Sequence, residues 1–187
     1  MGDEVDQSKL SIKYTAGPDG LSAGEELEES IKALKPFYKR FPEAFVLESN
    51  HTARIFKKAF AAGIPRGYLK TYKEFLKAPI GWNWLPELCI DGALYTHGET
   101  YNQTSWKTGM DVNYESIVIG HLHAGGGVIF RKNRKGLFWA LNTGFLGDIT
   151  APCFDYGKHS KNKPTLGCGV IIDGVGQFIP MLEGGKC

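Results

Sequence analysis

The chain lacks any apolar run near the roughly 18–20 residues that a membrane-spanning helix requires, so no segment reads as a transmembrane helix. It also lacks a leader-like start: MGDEVDQSKL is acidic and polar, the opposite of a basic region followed by an apolar one. Cysteine is scarce and scattered. Cys89, Cys153, Cys168 and Cys187 form neither a CxxC pair nor a zinc-ribbon spacing, and none has a histidine beside it. That argues against a disulfide framework, a structural zinc ribbon and a thiol nucleophile, and fits a reducing cytoplasm. Internal repeats and low-complexity linkers are absent, and net charge nearly so, at +2.

What remains is an ordinary globular composition. The 187 residues are 42% hydrophobic and 12% aromatic, and the expectation is a single domain over 1–187. A chain of this size buries roughly two-thirds of the surface it exposes when unfolded, so folding needs no metal or disulfide. Its 24 glycines imply many turns, hence strands and loops rather than a helical bundle. Charge is unevenly placed. Residues 1–30 carry eight acids against two lysines, whereas the rest carry 20 Lys+Arg against 12 acids. The basic runs Lys57–Lys58, Arg131–Lys135 and Lys158–Lys163 suit a phosphate-rich partner, although short basic clusters are more often solvated turns.

Helices are expected early. Ser22 with Glu25 forms a capping box before a helix over 21–40, with Leu27, Ile31, Leu34 and Tyr38 on one face and Pro36 ending or kinking it. A short strand, 44–47, runs into Glu48-Ser49-Asn50-His51. A second helix follows from Thr52 to about Ala62, stopped by Gly63, and a third spans 65–77 with Tyr68, Leu69, Tyr72, Phe75 and Leu76 inward. GWNWLP, 81–86, reads as an aromatic loop. From residue 87 hairpins dominate: one turning at Asp91-Gly92, one around NRKG and one at Gly174-Val175, with SIVIG, 116–120, a buried strand. Helices early and hairpins late, around strands that end in polar motifs, give a layered α/β sandwich.

The five histidines are more informative than their number. Four of them, His51, His97, His121 and His123, sit at the C-terminal ends of predicted strands. A lone histidine is usually structural, but strand C-termini in α/β folds converge on one crevice. His121 and His123 would face opposite sides of an ideal strand, yet both can turn to a shared site where the chain leaves it. Asp3 and Asp6 add carboxylates, or else form a solvated acidic tail. Imidazole with carboxylate suits zinc, manganese, iron or nickel better than calcium.

In order, these pieces resemble the calcineurin-like metallophosphoesterase family. Its G-D-x-x-D motif appears as Gly2–Asp6, its N-H as Asn50–His51 with Ser49 and Thr52 flanking, its H-G as His97–Gly98, and its G-H-x-H as Gly120–His123. Arg54 matches a common N-H-x-x-R variant, LNTGFLG (141–147) is similar to a stretch after the last motif, and the length is close to that of compact phage-type members. The family's D-x-H motif and its strand have no counterpart before Gly2.

The resemblance implies an α/β/β/α sandwich of two mixed sheets with flanking helices, lacking the first strand and so leaving a sheet edge open to a second copy or a strand-donating partner. It implies two divalent ions (manganese, iron, zinc or nickel), with Asp3, Asn50, His97, His121 and His123 as ligands and the second ion depleted by the absent D-x-H. His51 would be the acid that protonates the leaving oxygen, oriented by Asp6, with Arg54 beside it. The implied activity is a phosphodiesterase or nuclease acting on nucleic acid or nucleotides, in a host cytoplasm if phage-encoded. Trp82, Trp84 and Trp106 would hold a nucleotide by stacking or else pack in the core. The competing expectations are a catalytically impaired descendant that acts as a binding or assembly protein, and a fragment completed by another chain.

Overall fold

A computed structural model describes residues 1–11, 20–149 and 162–182. The chain is of mixed α/β type and divides into two compact units, Gly2–Leu85 and a second comprising Met1 with Pro86–Cys187. Among the described residues, no helix is long and apolar enough to cross a membrane.

In the Gly2–Leu85 unit, helix α1 (Ala23–Arg40) starts at the expected capping box: the Ser22 hydroxyl accepts from the Glu25 amide, and the Glu25 carboxylate accepts from the Ser22 amide. Ile31 and Leu34 are buried, and Leu27 and Tyr38 pack beside them. Pro36 does not end the helix, which continues one further turn to Arg40. Proline removes one backbone bond there, and the apolar face on either side outweighs that loss. Strand β1 (Glu43–Leu47) pairs in parallel with β2 (Gly81–Leu85), joined by α2 (Arg54–Ala61) and a short helix α3 (Tyr72–Phe75). The core gathers Val5, Leu34 and Leu76, with Trp84 and Phe75 against it.

Two expectations fail here. The span 65–77 is not one helix but a 3-10 turn (Arg66–Tyr68) followed by α3. Leu69 is extended, and Thr71 with Glu74 forms a second capping box that restarts the chain, leaving Tyr68 84% exposed rather than inward. The segment 81–86 is not a loop: 81–85 form β2, with Trp82 buried, its indole N–H donating to the Phe41 carbonyl, and Asn83 exposed on the opposite face.

In the other unit, a five-stranded sheet has the order β3-β4-β5-β7-β6. Strands β4 (Ala93–Thr96), β5 (Ser116–Ile119) and β7 (Gly136–Asn142) are parallel. Strands β3 (Glu87–Ile90) and β6 (Gly127–Asn133) close the edges as antiparallel hairpin partners. All four β5 residues are buried, as expected for a central parallel strand covered on both faces. Ile117 and Ile119 face Trp106 and Met110, from the 3-10 turn Ser105–Thr108 and helix α4 (Gly109–Asn113). Val118 faces the other way, in a cluster with Trp139 and Leu141. Against that cluster pack Ile171 and Phe178 of a separate hairpin, β8 (Gly167–Ile172) and β9 (Val175–Pro180). The three expected hairpins all form, the first with Asp91 and Gly92 both at positive φ, as a type I′ turn demands.

Candidate metal centre

The parallel pairing of β4 and β5 sets Thr96 opposite Ile119, so both strands end side by side. His97 follows the first, and Gly120-His121 follows the second. The Gly120 amide donates to the His97 carbonyl at 3.1 Å, tying the two ends together. Gly98 has φ +98°, and a Cβ there would meet the Ile119 Cβ at 3.2 Å, which accounts for glycine after this histidine. His121 itself adopts the left-handed region, φ +59°, a conformation that non-glycine residues take only when their surroundings hold them there.

What holds it is the end of β7. Thr143 donates to the Ile119 carbonyl through both its amide (2.9 Å) and its hydroxyl (3.2 Å). Asn142, fully buried, donates its side-chain amide to the Leu122 carbonyl at 3.1 Å and accepts from the Gly144 amide at 3.0 Å. The backbone between His121 and His123 is therefore pinned from beneath by Asn142, a residue that sequence reasoning placed only within a family-like stretch.

The result is a pair of imidazoles. His97 is 3% exposed, and its Nδ1 lies 2.7 Å from the Met1 carbonyl. A carbonyl only accepts, so Nδ1 carries the proton and Nε2 carries the lone pair. That Nε2 lies 3.2 Å from Nδ1 of His121, with the rings nearly perpendicular at 74°. Two nitrogens each about 2.05 Å from one tetrahedral ion sit roughly 3.3 Å apart, so the spacing fits two ligands of a single divalent metal. The backbone bond on the far nitrogen of His97 is the orienting contact that metal-binding histidines usually carry. His123 has its ring against Phe145, centroids 4.5 Å apart, and its carbonyl accepts from the Thr165 amide at 2.8 Å.

The other expected site residues lie in the Gly2–Leu85 unit. Asp6, His51 and Arg54 meet there. The Asp6 carboxylate is 2.5 Å from His51 Nδ1 and 3.1 Å from Arg54 Nη1, and Arg54 also donates to the Asp6 carbonyl at 2.6 Å. Arg54 Nη2 reaches to 3.4 Å from His51 Nε2. All three side chains are largely covered, at 29%, 18% and 20% exposure. Burial pushes the Asp6 carboxyl up, but the hydrogen bond and charge of His51, with the Arg54 guanidinium, outweigh it and hold the group below its ordinary value. The turn carrying Asn50 and His51 is built by Ser49, whose hydroxyl accepts from the Thr52 amide at 3.2 Å, with both residues buried. Ser49 and Thr52 are thus the residues that shape this turn. Asn50 and Asp3 are half-buried, and Asp3 has φ +56°.

Trp82 and Trp106 are buried, and Trp84 donates its indole N–H to Glu4 at 2.7 Å, so core packing describes the first two better than a stacking rim. The run Arg131–Lys135 covers the end of β6 and the turn into β7, where Arg131 pairs with Asp111 at 3.3 Å and Lys135 lies over the Tyr114 ring. Cys153, Cys187 and positions 158–161 of the third basic run lie outside the described residues, while Cys89 and Cys168 are free thiols. No protein-family model matches the chain, and no curated protein or solved structure matches it.

Proposed function

We propose that this chain is a metal-dependent phosphoester hydrolase of the calcineurin-like type, a phosphodiesterase acting on nucleic acid or nucleotides. The observation that carries the reading is the His97–His121 pair, two imidazole nitrogens at one-ion spacing where adjacent parallel strands end. In this reading Asp3 completes the set with a carboxylate, and Asn50 and His123 are the further ligands that the motif resemblance assigns. The four-layer α/β/β/α sandwich belongs to the same proposal.

A divalent metal held there would supply Lewis-acid polarisation of the phosphate and a lowered pKa for an attacking water. The chain's own residues do the rest. Asp6 holds Nδ1–H of His51 and so leaves Nε2 as the nitrogen that gives a proton to the leaving oxygen. At rest an Arg54 Nη2–H faces the Nε2 lone pair at 3.4 Å; once Nε2 takes up the proton it is to give, that guanidinium is released to pair with a phosphate oxygen. His97 and His121 offer neutral nitrogens that do not repel an incoming anion, and Asn142 keeps the second of them in place through the backbone.

The test is calorimetric titration of manganese and zinc into the purified chain, with hydrolysis of nucleotide diesters and phosphate monoesters measured in the same preparation. The reading expects at least one divalent ion bound and faster turnover of diesters. If no divalent ion binds, the reading fails.

A further inference from the structure

We infer that the surface running from α2 to the start of α3 binds single-stranded nucleic acid, through charge on its backbone and stacking of its bases on two exposed rings. Residues 49–73 hold six Lys and Arg and not one Asp or Glu. Of these cations Lys57, Lys58, Arg66 and Lys70 are exposed. Among them stand Phe60 at 85% and Tyr68 at 84% exposure, beside the small residues Ala61, Gly63 and Gly67. The packing of α2 does not use Phe60. That helix packs through Phe56, which meets Tyr72 and Phe75 edge-on, and through buried Ala59. Phe60 instead shares the outer side with Lys57, three positions back. Tyr68 is presented by a fixed turn. Its amide donates to the Pro65 carbonyl at 3.1 Å, and Arg66 lies over the Phe56 ring at 3.6 Å while donating to the Leu69 and Lys70 carbonyls. Glu74, the first acid beyond the stretch, is engaged by the Thr71 cap.

Charge alone would suit any polyanion, and the rings narrow the choice. Every base has a π-face that stacks on an aromatic side chain, but in a duplex those faces already stack on one another, so exposed rings among cations favour an unpaired strand. A bilayer surface calls for a broad apolar helix face, and α2 turns its own inward, leaving Lys57, Lys58 and Ala61 outside with Phe60. The preference for a phosphodiester chain over another polyanion rests on the hydrolase reading above. Helix α2 begins at Arg54, whose guanidinium reaches His51. At 1.5 Å per residue Phe60 stands about 9 Å further along the axis, roughly two to three nucleotide spacings from that cluster. The surface therefore selects strands over free nucleotides as the substrate class.

The test is fluorescence anisotropy of labelled oligothymidylate and oligouridylate, about 12 nucleotides long, with the full chain in EDTA, so that binding is read without metal or hydrolysis. Kd should be about 1–100 μM at physiological salt, and log K should fall with log salt at a slope of about −2 to −3, as for three or four neutralised phosphates on a single strand. Whichever of the two binds more tightly tells DNA from RNA. Tyr68→Ala and Tyr68→Leu should each weaken binding about 5-fold or more, whereas Tyr68→Phe, which keeps the ring, should not. Lys57→Ala with Lys58→Ala should bring the slope about 1.4 closer to zero. All three positions are exposed, and circular dichroism checks that each variant stays folded. The inference is overturned if neither strand binds, or if folded Tyr68→Ala binds as the natural chain does. It is equally overturned if a duplex of the same length, a polyglutamate peptide or phosphatidylglycerol vesicles bind as tightly as the strands. Strand binding in EDTA by a chain that hydrolyses no diester with manganese would count against the hydrolase reading and leave this surface standing.

Discussion

Replacing Asp6 with asparagine separates the role of this residue in folding from the role in proton transfer that the proposed function gives it. Asn keeps the shape and an oxygen that can accept from His51 Nδ1 and Arg54, but removes the charge. The 2.5 Å bond from His51 loses its charged acceptor, and the 3.1 Å bond from Arg54 keeps its charged donor but loses the ion pair. Bonds to a charged group contribute about 1.5–3 kcal/mol against about 1 for neutral pairs, so Asp6→Asn should lower unfolding free energy by about 1–3 kcal/mol at pH 7. The sign with pH follows from the depressed carboxyl. Its contribution is complete above the ordinary value of 3.8 and is lost as pH falls through the lower folded value, so the variant should lack that part of the acid limb. Chemical denaturation at pH 7 and between pH 5 and 2 measures both. On activity, loss of an orienting partner typically costs about 10–100-fold. That loss should appear with a nucleotide diester, whose leaving alkoxide needs a proton, and shrink with bis(4-nitrophenyl) phosphate, whose nitrophenolate leaves without one. Equal losses on both substrates would refute the assignment of His51 as acid, and unchanged stability would refute the ion-pair reasoning.

Three further outcomes follow from the geometry. Gly98→Ala forces a Cβ to 3.2 Å from Ile119 at φ +98°, and should cost about 1–3 kcal/mol in thermal or denaturant unfolding. Asn142→Leu leaves the Leu122 carbonyl and the Gly144 amide without their partners, so it should destabilise by about 2–3 kcal/mol and broaden or shift the His121 and His123 ring resonances. Ser22→Ala removes the α1 capping bond and should cost about 1 kcal/mol, with no change in metal binding.

Much of the second unit was legible because its signals are local. The Asp91-Gly92 turn, the NRKG turn and the continuous apolar run SIVI each carry their structure in a few residues. In the first unit, competing local signals misled. Trp82-Asn83-Trp84 alternates buried and exposed positions as a strand does, yet its flanking Pro and Gly read as a loop. Thr71 and Glu74 are a start signal inside a stretch whose apolar spacing suggests one longer helix. Pro36 reads as a stop but is carried by the face that Ile31 and Leu34 bury. At the candidate metal centre, the histidines could be named because they follow strands. Their spacing could not be read, since it depends on the β4–β5 register and on a left-handed His121 imposed by Asn142 and Thr143 from another strand.

The most direct test of the central claim is hydrolysis of bis(4-nitrophenyl) phosphate by the natural chain, chelated and then supplied with manganese, beside His97→Ala and His121→Ala prepared identically. The account predicts turnover that disappears on chelation, returns with manganese, and falls at least about 100-fold in both variants while their circular dichroism stays native. Metal-independent turnover, or undiminished turnover in folded His97→Ala and His121→Ala, would contradict it.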